Sequence, residues 1–184
     1  GADGDGHLRV MDAPLLAAEE VRVTVGDATQ LAGATFTTAG RRLLCVGNTA
    51  PLLSAISGLP IGSAAALVAG GKLTICGRDV ARGEHRAILG SAPRSLATPP
   101  DWTVGAYLHW AARLAGVARK ERAAKVGAAL AAVGLPDKAH KVRTKRLGPL
   151  ERRLLMLAHA LVHDPAVVLL HEPLDGVPDD MAGV

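Results

Sequence analysis

The hydrophobic period changes along this chain, and that change limits its fold more than any single motif does. "EEVRVTVGD" alternates at Val21, Val23 and Val25, the two-residue repeat of a strand with one buried face. "GATFTTAGRRLLCVG" gives two more short runs separated by Ala39 and Gly40, so three β segments are expected first. Val104, Tyr107, Leu108, Ala111 and Ala115 then recur at helical spacing behind the cap residue Thr103, and Val126, Leu130 and Val133 mark a second helix ended by Gly134 and Pro136. Leu150, Leu154, Leu157, Ala158, Leu161 and Val162 form one face of a third helix, begun by Gly148 and Pro149. The unbroken run "AVVLL", Ala166 to Leu170, is the kind of strand that a parallel sheet buries on both faces. Together these patterns point to an α/β chain, with β segments first and a helical lobe inserted before a strand of the parallel-sheet kind.

The core must be built from small and aliphatic side chains, because Phe36, Trp102, Tyr107 and Trp110 are the chain's only aromatic residues among 184. Cys45 and Cys76 each lie in a strand-like run with no second Cys or His at ligand spacing, so buried reduced thiols are expected and zinc is not. No run reaches about 18 consecutive apolar residues and no signal peptide is evident, so a membrane role would come through a partner. Residues 1–14, "GADGDGHLRVMDAP", read as a flexible leader. Lys138, Lys141, Arg143, Lys145, Arg146, Arg152 and Arg153 crowd one segment in which Glu151 is the lone acid. Such a cluster suits a solvated basic face, a nucleic acid or an anionic surface, and does not decide among them.

A glycine follows "RRLLCV", and "NTAPLLSAISGL" opens a helix behind it, with Pro51 in the first turn and Gly58 and Pro60 at its stop. A phosphate-binding loop would sit at such a place. "GKLTICGRDV" then reads as a strand closed by a turn at Gly77.

This order, together with "LVHDPAVVLLHEPLDGVPDD", resembles the ATP-binding cassette ATPases that power membrane transporters, from about Leu15 to Asp180. The resemblance implies a P-loop NTPase-like α/β core with N-terminal antiparallel strands and an inserted helical subdomain. On this reading 15–184 form one cassette-like domain: 15–93 the β-rich part, 94–146 the helical subdomain, and 147–184 a signature-like helix and Walker B-like strand. Family members continue through another helix and strand to a switch histidine. The end at Val184 therefore leads to the expectation that the C-terminal part of the cassette is absent.

Several positions depart from the family pattern. The phosphate loop G-x-x-x-x-G-K-[ST] needs glycines so that amides can close on phosphates, a Lys for the outer two, and a hydroxyl for Mg²⁺. Without a gap, Gly47 takes the first glycine, Leu52 the second, Leu53 the Lys, and Ser54 the hydroxyl position. Aligning the following helix instead drops about one helical turn and makes Ser54 an ordinary helix residue. Pro51 removes a further N–H, while Leu52, Leu53 and Ile56 are expected to pack on the sheet. Val25 or Gly26 stands where the family stacks an aromatic ring on adenine. Arg94 replaces the Q-loop glutamine, and the signature loop falls on Leu147, Gly148, Pro149, Leu150 and Glu151. His171 stands for the Walker B Asp, and imidazole is a poor ligand for a hard cation. Glu172 survives at the general-base position, either as a vestige of catalysis or as a structural strand-end carboxylate. His159, His163 and His171 are near one another in sequence, but His159 and His163 at i, i+4 with Glu172 remote do not form an H-E-x-x-H arrangement and read as helix-surface histidines.

Three functions remain open at this stage. The first is a catalytically degenerate cassette subunit, cytoplasmic and peripheral at the inner membrane face, that binds neither ATP nor Mg²⁺ and docks on a transmembrane subunit. The family's docking groove would then involve Arg94, Trp102 and Trp110, unless both indoles simply complete the core. The second is an asymmetric partner of an intact cassette, or of a second copy, that retains ATP and Mg²⁺ at one composite site. The third, a basic nucleic-acid module, is weakened by the absence of stacking aromatics near the basic segment.

Overall fold

The computed structural model describes residues 13–93 and 97–177. It divides into two compact units, 1–88 and 89–184. In the first unit, strands β1 (Leu16–Val25), β2 (Ala28–Thr37), β3 (Ala66–Ile75) and β4 (Arg78–Asp79) form an antiparallel sheet of order β2-β1-β3-β4. Helix α1 (Ala50–Ser57) packs on this sheet through Ile56, with Leu52 and Leu53 half-buried.

The β1 sequence alternates, yet its buried positions change phase. Leu16 and Ala18 are buried on one side of Glu19 and Glu20, and Val21 and Val23 on the other. A register shift between Ala18 and Val21 absorbs the extra residue, as a β-bulge does, so the same face of the strand stays inward. Glu20 takes φ +50° there. Across the pair Gly71 has φ +72°, and a Cβ on it would lie 2.3 Å from the Glu20 carbonyl oxygen. A side chain at 71 is therefore excluded both by conformation and by backbone contact.

Two expectations change in this unit. Two strands, not three, precede α1: "RRLLCVG" joins no strand ladder, and Leu43, Leu44 and Val46 are exposed by 45%, 86% and 86%. Cys45 in that stretch is half-buried, whereas Cys76 is buried and burial raises its thiol pKa. The strand read from "GKLTICGRDV" begins earlier, at Ala66, and turns at Gly77, φ +76°.

In the second unit β5 (Leu89–Ala92) pairs in parallel with β6 (Val167–Leu170). Helices α2 (Val104–Leu114), α3 (Arg122–Ala132) and α4 (Pro149–Leu161) lie between them in sequence. Thr103 caps α2 by accepting the Ala106 N–H at 3.1 Å, and Gly148 begins α4 with its N–H donated to Glu151 Oε2 at 2.8 Å. Val104, Leu108, Ala111 and Ala112 of α2, Val126 and Leu130 of α3, and Leu155 and Ala158 of α4 close one core. The small residues set its geometry: a Cβ at Gly90 would sit 2.1 Å from the Ala160 carbonyl oxygen, so α4 rests directly on β5. The run "AVVLL" is the parallel strand expected, but it is covered on one face only, with Val168 40% and Leu170 43% exposed.

Candidate functional site

The positions that the sequence resemblance singles out for nucleotide binding fall in both units. In the first, Val25 ends β1 paired with Ala28, half-buried and aliphatic. Gly47 has φ +100°, is exposed, and accepts the Thr49 N–H at 2.9 Å. Ser54 is buried inside α1, and its hydroxyl donates to the Leu59 carbonyl while its own carbonyl accepts the Gly58 N–H at 2.8 Å. Pro51, buried in the first turn of α1, contributes no N–H there. Each of these residues is thus engaged within its own element or the turn beside it.

In the second unit Gly148 caps α4, and its amide is occupied by the Glu151 carboxylate. The His171 N–H extends the strand ladder by donating to the Ala92 carbonyl at 3.0 Å, so main-chain bonding fixes this residue at the end of β6. Glu172 is exposed at φ +46°, and its carbonyl accepts the Asp175 N–H at 3.0 Å. A left-handed glutamate at a strand end is uncommon and puts its side chain in a conformationally defined place. Arg94 lies outside the described residues.

Trp102 and Trp110 are brought together. Their rings meet edge to face with centroids 6.0 Å apart and planes at 82°. Trp110 in turn stands 5.9 Å from Tyr107, which stacks on His159 at 5.5 Å. The indoles remain 39% and 37% exposed, so they border the core rather than complete it. The segment carrying Trp102 is pinned to the basic segment: Thr144 N–H donates to the Trp102 carbonyl at 2.9 Å, the Thr144 hydroxyl to the Pro99 carbonyl at 2.6 Å, and Val104 N–H to the Val142 carbonyl at 2.9 Å. These bonds build an open depression of about 670 Å³ floored by the two indoles.

A second hollow of about 690 Å³ adjoins it in sequence, between Ala97–Pro100 and α4, and carries Lys145, Arg152 and Arg153. Its cations are partly used: Arg153 binds the Asp175 carboxylate at 3.3 Å, and Lys145 binds Asp101 at 2.6 Å.

Sequence reasoning missed the Tyr107–His159 contact. His159 is not a surface histidine: its Nδ1 lies 3.0 Å from the Tyr107 hydroxyl, and burial lowers its pKa. The signal was present in the helical registers, since Tyr107 and Ala158 both lie on core faces, but the pairing joins residues 52 apart.

No protein-family model matches the chain. It is 34% identical over 92 residues to the uncharacterized ABC transporter ATP-binding protein YxlF of Bacillus subtilis, a match covering 50% of this chain and 31% of that protein. It is 37% identical over 109 residues to the Nod factor export ATP-binding protein I of Burkholderia thailandensis, covering 58% of this chain and 36% of the relative. The chain thus spans about a third of the length of these curated relatives. Among solved structures, a Pyrococcus furiosus chain described as an ABC transporter ATP-binding protein superposes with a TM-score of 0.64 at 19% identity, over 91% of this chain and 80% of that one. The mixed α/β fold, antiparallel strands followed by helices and a parallel strand pair, is that of the ABC ATPase cassette, and in sequence the chain is similar to parts of ATP-binding proteins of ABC transporters.

Proposed function

We propose that this protein is a cassette-like subunit of a membrane transporter complex that has lost ATP chemistry and acts by docking. It works at the cytoplasmic face of the membrane, peripheral to a transmembrane subunit. The observation that carries this reading is Ser54: the hydroxyl available for Mg²⁺ is buried and already donated to the Leu59 carbonyl. The surrounding residues agree, since Leu53 offers no cation, Pro51 no N–H, and His171 no carboxylate. ATP·Mg²⁺ therefore does not fit the residues present, and Glu172 has no bound γ-phosphate against which to act as a base. On this reading 15–184 act as one cassette-like domain with 94–146 as the docking subdomain, and Trp102, Trp110 and Arg94 supply the contact with the membrane partner.

A second reading is favoured by the relatives' own descriptions as ATP-binding proteins. In it the chain pairs with an intact cassette and one composite site still turns over. The Gly148 amide bonded to Glu151 argues against it, because in that pairing the amides of this loop would face the partner's phosphate.

The test is thermal denaturation and calorimetry with millimolar ATP·Mg²⁺. No rise in melting temperature and no binding heat are expected, whereas a ligand-dependent rise rules the proposal out. Co-purification with a multi-span membrane protein is expected in addition.

A further inference from the structure

We propose that the depression floored by Trp102 and Trp110 receives an acidic peptide segment carrying apolar side chains. This rests on the docking reading above and specifies the chemistry of the partner.

The depression joins an apolar floor to a positive wall. Asp101, Trp102, His109, Trp110, Arg113 and Arg122 line it. Its one carboxylate is already neutralised: Asp101 holds Lys145 Nζ at 2.6 Å and Arg143 at 3.6 Å, and the Lys145 hydrogen bond keeps its pKa below the ordinary carboxylate value. Arg122 is steadied by donating from Nε to the Val117 carbonyl at 2.8 Å, which leaves its charge without a carboxylate partner among the described residues. Arg113, exposed in the last turn of α2, makes no ion pair among them either. Indole and guanidinium are the groups that most often carry interface energy, and a guanidinium recognises a carboxylate through paired N–H donors.

Charge and ring geometry separate the possible occupants. A second copy of this chain, at net charge +4, is repelled overall and not drawn to a positive wall. Single-stranded nucleic acid needs open, roughly parallel aromatic faces for successive bases. Here the rings meet at 82°, each closing part of the other's surface. A peptide with Glu or Asp beside Leu or Phe satisfies both features, carboxylates on Arg113 and Arg122 and apolar side chains on the indoles.

These are the only two tryptophans in the chain, so intrinsic indole fluorescence of the intact protein reads the site directly. Three probes are titrated: a short amphipathic Leu/Glu peptide, the same peptide with Lys for Glu, and a short oligothymidylate. A saturable fluorescence change is expected with the Leu/Glu peptide only, weakened about tenfold by Arg113→Glu. That variant leaves the melting temperature unchanged, because Arg113 is solvent-exposed. Trp110→Phe, which keeps a ring, is expected to weaken binding read from Trp102 alone. Equal binding of the Lys peptide, tighter binding of the oligonucleotide, no response to the Leu/Glu peptide, or insensitivity to Arg113→Glu each overturn the proposal. The nucleotide experiment is independent: stabilisation by ATP·Mg²⁺ would overturn the proposed function while leaving a selective peptide response standing.

Discussion

Tyr107 and His159, on α2 and α4, are stacked with ring centroids 5.5 Å apart, and the Tyr107 hydroxyl lies 3.0 Å from His159 Nδ1. With the imidazole neutral and its proton on Nε2, the hydroxyl donates to Nδ1. Burial, and secondarily the charge of His163, holds the His159 pKa below its ordinary 6.5. The unfolded chain then binds this proton more readily, so stability is flat above pH 6.5 from this group and falls as pH drops through the window toward the lowered folded value. Urea denaturation at a series of pH values should show this slope, and His159→Leu should reduce it.

Tyr107→Phe separates hydrogen bonding from packing at the same place. The ring stays stacked, but His159 Nδ1 loses its partner in a half-buried site. A loss of about 1 kcal/mol of unfolding free energy is expected at neutral pH, read as a lower urea midpoint at unchanged m.

Gly71→Ala should be among the most damaging single-methyl changes in the chain. The new Cβ would stand 2.3 Å from the Glu20 carbonyl oxygen at φ +72°, where the obstacle is backbone that cannot rotate away. A cost of about 3 kcal/mol is expected. Gly127→Ala is the matched control: it lies in α3 with nothing within 4 Å of the added carbon, and should stabilise by about 0.5–1 kcal/mol. Thermal melts of the two variants check both signs.

Ser54→Ala tests whether this hydroxyl serves the fold. It should lower stability by about 1 kcal/mol through the lost bond to the Leu59 carbonyl, and leave the response to ATP·Mg²⁺ unchanged at zero.

Leu53→Lys, which puts a cation where the proposed reading places the phosphate-loop lysine, should release phosphate from ATP no faster than the parent protein. The substitution supplies one charge while Pro51 and the occupied Ser54 hydroxyl stay as they are. A phosphate-release assay against buffer blanks checks it.

Much of the helical part was legible because its determinants are local. Thr103 caps α2 and Gly148–Pro149 opens α4 through contacts within one turn, so a window of sequence contains the whole cause. The β part was harder. Nothing in "LGSA" marks Leu89–Ala92 as a strand until Val167–Leu170 lies beside it, more than 70 residues away. The run "RRLLCVG" has strand composition but no ladder, since composition states a propensity and pairing requires a neighbour. At the candidate site, the proposed departures at Leu53, Pro51 and His171 rest on residue identity alone. The joining of Trp102 to Trp110 required knowing that the 99–102 segment is tied to Thr144.

The stretch from Arg42 to Val46, which belongs to no strand ladder, has a colloidal consequence. Leu44 and Val46, each 86% exposed, present apolar side chains on a segment that no strand ladder occupies, a template that a like stretch of another molecule can copy. A net charge of +4 spread over 184 residues opposes that encounter only weakly as salt rises. Concentrated solutions should therefore lose monomer with increasing ionic strength, and Leu44→Lys should raise the concentration at which light scattering begins.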